Sequence, residues 1–168
     1  PASIDEAYLD LGGTERLYND EALADTALRI QEAVLRETDI VVSIGGGTSK
    51  LVAKLAVGRA KPAGVHVVAP GREESFLAEF RLGDLPGVGP VFADELRAMG
   101  LVTVPHALCL DMESMMRRLG ERRGEWLFNR IRGIDDRQVE PERAARQHSR
   151  DETFARDLAA AGGAGLIT

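Results

Sequence analysis

Asp5 and Glu6 stand side by side near the start of the chain. Neighbouring carboxylates are hard oxygen ligands of the kind that suits Mg²⁺, an ion that keeps waters and substrate phosphates in its shell. On a regular strand successive side chains point to opposite faces, so the two share a site only at a turn or distortion. An isolated Asp-Glu pair is also the ordinary content of an exposed acidic hairpin. Asp10 is a further carboxylate, placed by its spacing at the far end of the same strand. Lys50 and Lys54 are four apart and share a helix face, and Lys61 would extend the series past Gly58 and up to Pro62. The turn entering that helix, SIGGGTSK, offers backbone N–H groups to a phosphate. It lacks the Walker pattern, and three consecutive glycines match a dinucleotide fingerprint weakly. A solvated lysine face and a tight strand-to-helix turn account for the same residues.

The sequence Leu85-Pro86-Gly87-Val88-Gly89-Pro90 has the form of a helix-hairpin-helix: an apolar residue, PGVG, then a helix start. Gly87 and Gly89 carry no side chains, so successive N–H groups can face a DNA phosphate. Such a contact positions a duplex without reading its sequence. A plain helix-joining turn is the alternative, and the length of the match favours DNA. Cys109 is expected to be a small buried hydrophobe, and Trp126 to belong to the core. His66, His106 and His148 are too far apart in sequence to suggest a metal site.

These residues need elements to position them. Residues 3–11 read as a strand or hairpin, and Asn19 or Asp20 as the cap of a helix with Leu23, Ala27, Ile30 and Val34 on one side. Residues 39–44, DIVVSI, read as a buried strand closed by Gly45-Gly46-Gly47. Thr48 or Ser49 then caps a helix with Leu51, Val52, Leu55 and Ala56 inward, ending near Gly58, and residues 65–68 make another strand. That alternation indicates an α/β layer. After Gly71 only helical patterns follow, over 73–80, 90–99, 111–119 and 121–132, so a boundary is expected near 71–72. Residues 142–150 read as a linker.

The 168 residues hold 21 Lys+Arg against 27 Asp+Glu, a net charge of −6, with 44% apolar and 29% charged residues. Those values fit a folded globular chain and exclude a disordered one. No apolar run approaches membrane-spanning length, which excludes a transmembrane helix. One cysteine excludes an internal disulfide framework and points to a reducing, intracellular setting. Residues 1–49 hold ten acidic and three basic side chains, while 117–150 holds ten arginines against six acids. An acidic front and an Arg-rich back suit a metal site beside a phosphate-binding surface, though ordinary solvated helix faces give the same pattern.

Taken in order, SIDEAYLD, SIGGGTSKLVAKLAVGRAKPAG, LPGVG, RGID…VEP and QHSRDETFARD resemble the Y-family translesion DNA polymerases of the DinB, or polymerase IV, type over residues 1 to about 157. The resemblance implies an α+β fold: an α/β palm portion with a mixed sheet over 1–71, then a small all-helical thumb with a helix-hairpin-helix over 72–141. A linker over 142–150 and the start of a little-finger domain over 151–168 would follow. It implies that Asp5 and Glu6 are catalytic and hold two Mg²⁺ ions, that Lys61 contacts the nucleotide triphosphate, and that Lys54, Gly87 and Gly89 contact DNA. The implied partners are primer-template DNA, a deoxynucleoside triphosphate and, through regions outside this stretch, the sliding clamp, in a cytoplasmic, nucleoid-associated setting without a membrane. The family's first metal-binding Asp, steric gate and fingers are not found upstream of Pro1, so the stretch alone is expected to be inactive as a polymerase. GGGTSK and QHSRDETF depart from the usual family pattern and leave room for a non-catalytic, DNA-binding accessory protein. The joint presence of Asp5, Glu6 and Lys61 argues for catalysis.

Overall fold

The computed structural model describes residues 5–18 and 21–140. Its sheet is a parallel pair, β1 (Ile44–Gly46) and β2 (Val65–Val67), in the register Ile44↔Val65, Gly45↔His66 and Gly46↔Val67. Parallel neighbours need a crossover, and α2 (Lys50–Ala60) supplies it, while α1 (Leu23–Thr38) also lies against both strands. Ser49 caps α2 by accepting the Val52 N–H at 3.3 Å, and Leu51, Val52, Leu55 and Ala56 are buried, as the periodicity predicts. The helix runs through Gly58 and ends at Ala60.

Three expectations for this half are corrected. The segment 6–11 forms no strand or helix, and Asp5 before it is a bend. The strand expected at 39–44 joins a ladder only at Ile44, because Asp39 ends α1 in the left-handed conformation at φ 58°. There the Gln31 amide donates to the Val42 carbonyl at 2.7 Å and the Ala63 carbonyl at 3.1 Å, bridging the two chain segments where a ladder would have done so. The glycine run is not a turn: Gly45 and Gly46 lie in β1. A Cβ on Gly45 would collide with the backbone of Ala53 and Val57, and one on Gly47 would stand 2.5 Å from Val52 Cγ1. The glycines serve close helix-on-strand packing. The cap expected at Asn19 or Asp20 lies outside the described residues; α1 starts at Ala22 without a side-chain cap.

The second half holds α3 (Glu73–Leu77), α4 (Pro90–Ala98), α5 (Val104–Leu108), α6 (Met112–Leu119) and α7 (Glu121–Arg130). The pattern-based helices match α3, α4, α6 and α7 to within a few residues. The five-residue α5, begun after Thr103 with Pro105 in its first turn, is too short to show a period. Asp111 caps α6 by accepting the Ser114 N–H at 2.7 Å. Gly124 lets α7 meet the backbone of α6, since a Cβ there would stand 2.5 Å from Met116 Cα. Phe76, Leu77, Leu82, Leu85, Leu96, Val104, Met115, Leu127 and Ile131 form one core with Leu51, Val52 and Leu55 of α2. Cys109, expected inside, is exposed: it follows the short α5, whose Val104 and Ala107 take the inward positions, and its Sγ donates to the Pro105 carbonyl at 3.3 Å. Among the described residues no helix is long and apolar enough to cross a membrane. The expected linker and little-finger start fall on residues 142–168, outside the described span.

Candidate functional site

The face of α2 that carries Lys50 and Lys54 looks onto the acidic N-terminal run. Lys54 Nζ donates to Glu6 Oε1 across 48 residues of sequence. The Lys54 ammonium is held above its ordinary pKa by this hydrogen bond; partial burial opposes the rise, and the charges of Glu6, Tyr8 and Asp5 add to it. One turn earlier, Lys50 Nζ lies 5.6 Å from the Tyr8 ring centroid and donates to the Gln138 carbonyl. Asp5 and Glu6 are both exposed. Asp10 turns elsewhere and accepts the Gly12 N–H at 3.0 Å. Lys61 follows the last turn of α2 and precedes Pro62 through a cis peptide bond. It is exposed.

The donors decide whether this corner suits a divalent cation. Two neighbouring carboxylates supply hard oxygens, and Glu6 already holds a cationic group, the Lys54 ammonium. Among the described residues no group of three or more Asp, Glu, His or Cys gathers at one point. The pair therefore fits an ion that takes its remaining oxygens from water and phosphates, as Mg²⁺ does.

The TSK residues that follow the glycines are engaged away from any phosphate cradle. Thr48 Oγ1 donates to Glu73 Oε1 at 2.7 Å, which holds the Glu73 carboxyl below its usual range. Ser49 Oγ donates to the Gly133 carbonyl at 3.2 Å, and Lys50 reaches Gln138. Three successive side chains thus tie the start of α2 to the helical half, a role the sequence pattern did not reveal.

The PGVG hairpin is formed as expected. A 3₁₀ turn, Leu82–Asp84, leads to buried Leu85; Val88 N–H closes on the Leu85 carbonyl at 2.9 Å. Gly89 is the N-cap of α4 and has no side-chain cap, so the N–H groups of the first turn lack an intrahelical acceptor. Gly87 and Gly89 are exposed. Gly87 has φ +99°, whereas Gly89 has φ −77° with open space where its Cβ would be.

Sequence reasoning also passed over Arg130, Asp135 and Arg137. Arg130 Nη1 lies 2.9 Å from Asp135 Oδ2, with side-chain exposures of 9% and 2%. Arg137 grips the same carboxylate through Nε at 2.7 Å and Nη2 at 2.8 Å. Burial would raise the Asp135 pKa, but the hydrogen bonds from Arg137 and the close charges of Arg130 and Arg137 outweigh it and hold it at about 2. The RGID run was visible, yet nothing local says that its Asp is buried between two arginines.

Residues 1–58 match the impB/mucB/samB family, and residues 83–135 match the thumb domain of DNA polymerase-iota. DNA polymerase IV of Xanthomonas oryzae pv. oryzae is 36% identical over 159 residues, covering 95% of this chain and 44% of that protein. The chain thus spans less than half the length of that curated relative. Among solved structures, a Y-family DNA polymerase chimera of Dbh and Dpo4 superposes with a TM-score of 0.71 at 26% identity, covering 86% of this chain and 42% of the other. A DinB family error prone DNA polymerase from Sulfolobus solfataricus gives 0.67 at 27% identity, covering 82% and 41%.

Proposed function

Because the chain belongs to the DinB-like Y-family DNA polymerases, we propose that it is part of an error-prone translesion polymerase that transfers a nucleotidyl group from a deoxynucleoside triphosphate to a primer 3′-hydroxyl. The observation that carries the reading is the meeting of Glu6 with Lys54, which sets an acidic pair and a cationic helix face together at one corner. On this reading residues 1–71 are the C-terminal part of the palm, residues 72–141 the thumb, and residues from 151 the start of a little finger.

Asp5 and Glu6 would hold the divalent cation, which when bound neutralises triphosphate charge and activates the primer hydroxyl. Lys61, exposed at the end of α2, presents its ammonium to the triphosphate. Lys54, paired with Glu6 on the same corner, is the cation that would serve a phosphate of DNA or nucleotide there. Gly87 and Gly89 open the backbone N–H groups at the start of α4 to the primer-template, a contact that holds register and ignores sequence. On the same reading the protein works at damaged DNA in the cytoplasm, at the nucleoid, with the sliding clamp as a partner of regions outside this stretch.

The test is primer extension by the full polymerase polypeptide that carries this sequence, beside its Asp5→Ala/Glu6→Ala double variant. Extension should vanish in the variant while primer-template binding persists. Absence of extension in both, with salt-sensitive DNA binding intact, would favour the accessory DNA-binding reading.

A further inference from the structure

The tip of the PGVG hairpin rests on an indole. A Cβ at Gly87 would stand 2.7 Å from Cζ2 and 3.2 Å from Cη2 of Trp126, so the ring edge fills the volume a side chain there would need. Gly89, two residues on, has nothing comparable behind it. Trp126 is itself held by two neighbours. The Phe92 ring lies 6.2 Å away, tilted by 50°, and the Arg130 guanidinium lies 5.3 Å from the indole centroid. Arg130 is locked in turn by Asp135, and Phe92 carries the Arg123 guanidinium 4.2 Å over its face. The sequence pattern assigned Trp126 to the core; it is half-buried, and part of its surface is spent on the hairpin.

Gly87 and Gly89 bring to this loop the backbone freedom of glycine, and freedom lost on binding weakens binding. A rigid ring pressed against the φ +99° residue removes that freedom before the ligand arrives. We propose that Trp126 is a positioning residue for DNA: its indole buttresses the Gly87–Gly89 backbone so that the N–H groups entering α4 meet a phosphate at a fixed height. The inference rests on the polymerase reading, which makes DNA the ligand, and it gives the chain's single tryptophan a role in affinity that packing alone does not require.

The experiment measures binding of a fluorescently labelled primer-template duplex to the 168-residue chain over a range of KCl concentrations. Trp126→Leu should raise Kd about tenfold and flatten the slope of log Kd against log salt by about one phosphate contact. Trp126→Phe, which keeps a flat ring, should stay within about threefold of the parent. The parent's emission comes from Trp126 alone, so saturating DNA should shift it and shield it from acrylamide. A packing role would lower the melting temperature of Trp126→Leu while leaving the salt slope of the folded variant unchanged. That result, or Kd and slope both at parent values, overturns the inference. Should Trp126→Leu fail to fold, the Phe variant and the quenching decide, and emission unmoved by saturating DNA overturns it. A parent chain that binds no duplex at all sinks the DNA reading itself, a different outcome from a parent that binds and a variant that binds equally well.

Discussion

Between residues 73 and 135 large apolar side chains turn inward, with only Val91 and Ile134 strongly exposed among those described, whereas the first 41 residues leave Leu9, Leu17, Leu28, Leu35, Ile40 and Val41 in solvent. The difference follows from how each architecture buries its surface. Helices joined by short turns find partners among their sequence neighbours, as α6 and α7 do across Gly120. A ladder of two three-residue strands cannot cover itself and depends on partners distant in sequence. Leu51, Val52 and Leu55 of α2, with Val68 just after β2, escape this by joining the core of the helical half. The corner where Lys54 meets Glu6 thus sits on the less self-sufficient half and the PGVG hairpin on the more self-sufficient one.

The comparison is broken most severely by a cavity in the helical core. Leu127 is fully buried, and Leu127→Ala should cost about 4 kcal/mol, while Leu28→Ala, at an exposed position, should cost under about 0.5 kcal/mol. Chemical unfolding of the two variants measures the gap, and equal losses would contradict it. Next comes a contrast inside the hairpin. Gly87→Ala must adopt φ +99° and displace Trp126, for about 3 kcal/mol, whereas Gly89→Ala meets open space and should leave stability within about 0.5 kcal/mol. Differential scanning calorimetry of both variants separates them.

The smallest effect is in acid. Asp135 is depressed from 3.8 to about 2, so the unfolded chain binds its proton more tightly than the folded one. Its contribution, about 2 kcal/mol, is present at neutral pH and down to the ordinary carboxylate range. It is lost as the pH falls from about 4 through about 2. Asp135→Asn should be less stable at pH 7 and show a flatter acid limb between those values when unfolding is followed against pH. An unchanged acid limb would show that the carboxylate is not paired as described.

Legibility in the sequence tracked the range of the signal. The cap at Ser49, the inward set of α2, the bounds of α4, α6 and α7, and the hairpin glycines all declare themselves within a turn or two of chain, where periodicity and capping act. The strand at 39–44 misled because β-branched composition says nothing about whether a partner is alongside, and here Asp39 and Gln31 take the chain out of the ladder. Gly45-Gly46-Gly47 misled because glycine signals a turn and a close approach alike, and only the position of α2 distinguishes them. Cys109 misled because a hydrophobe's inward side is undefined in a helix of five residues.

By itself the sequence determined the longer helices, the acidic pair at Asp5 and Glu6, the shared face of Lys50 and Lys54, and the hairpin at Gly87 and Gly89. Tertiary structure decided that Lys54 meets Glu6, that Trp126 backs Gly87, that Thr48, Ser49 and Lys50 clasp the helical half, and that Asp135 is buried between two arginines. Propensity and periodicity act over a few residues along the chain. These contacts join residues that are mostly far apart in sequence, or rest on burial that such residues create, and they exist only where the packed core brings them within reach.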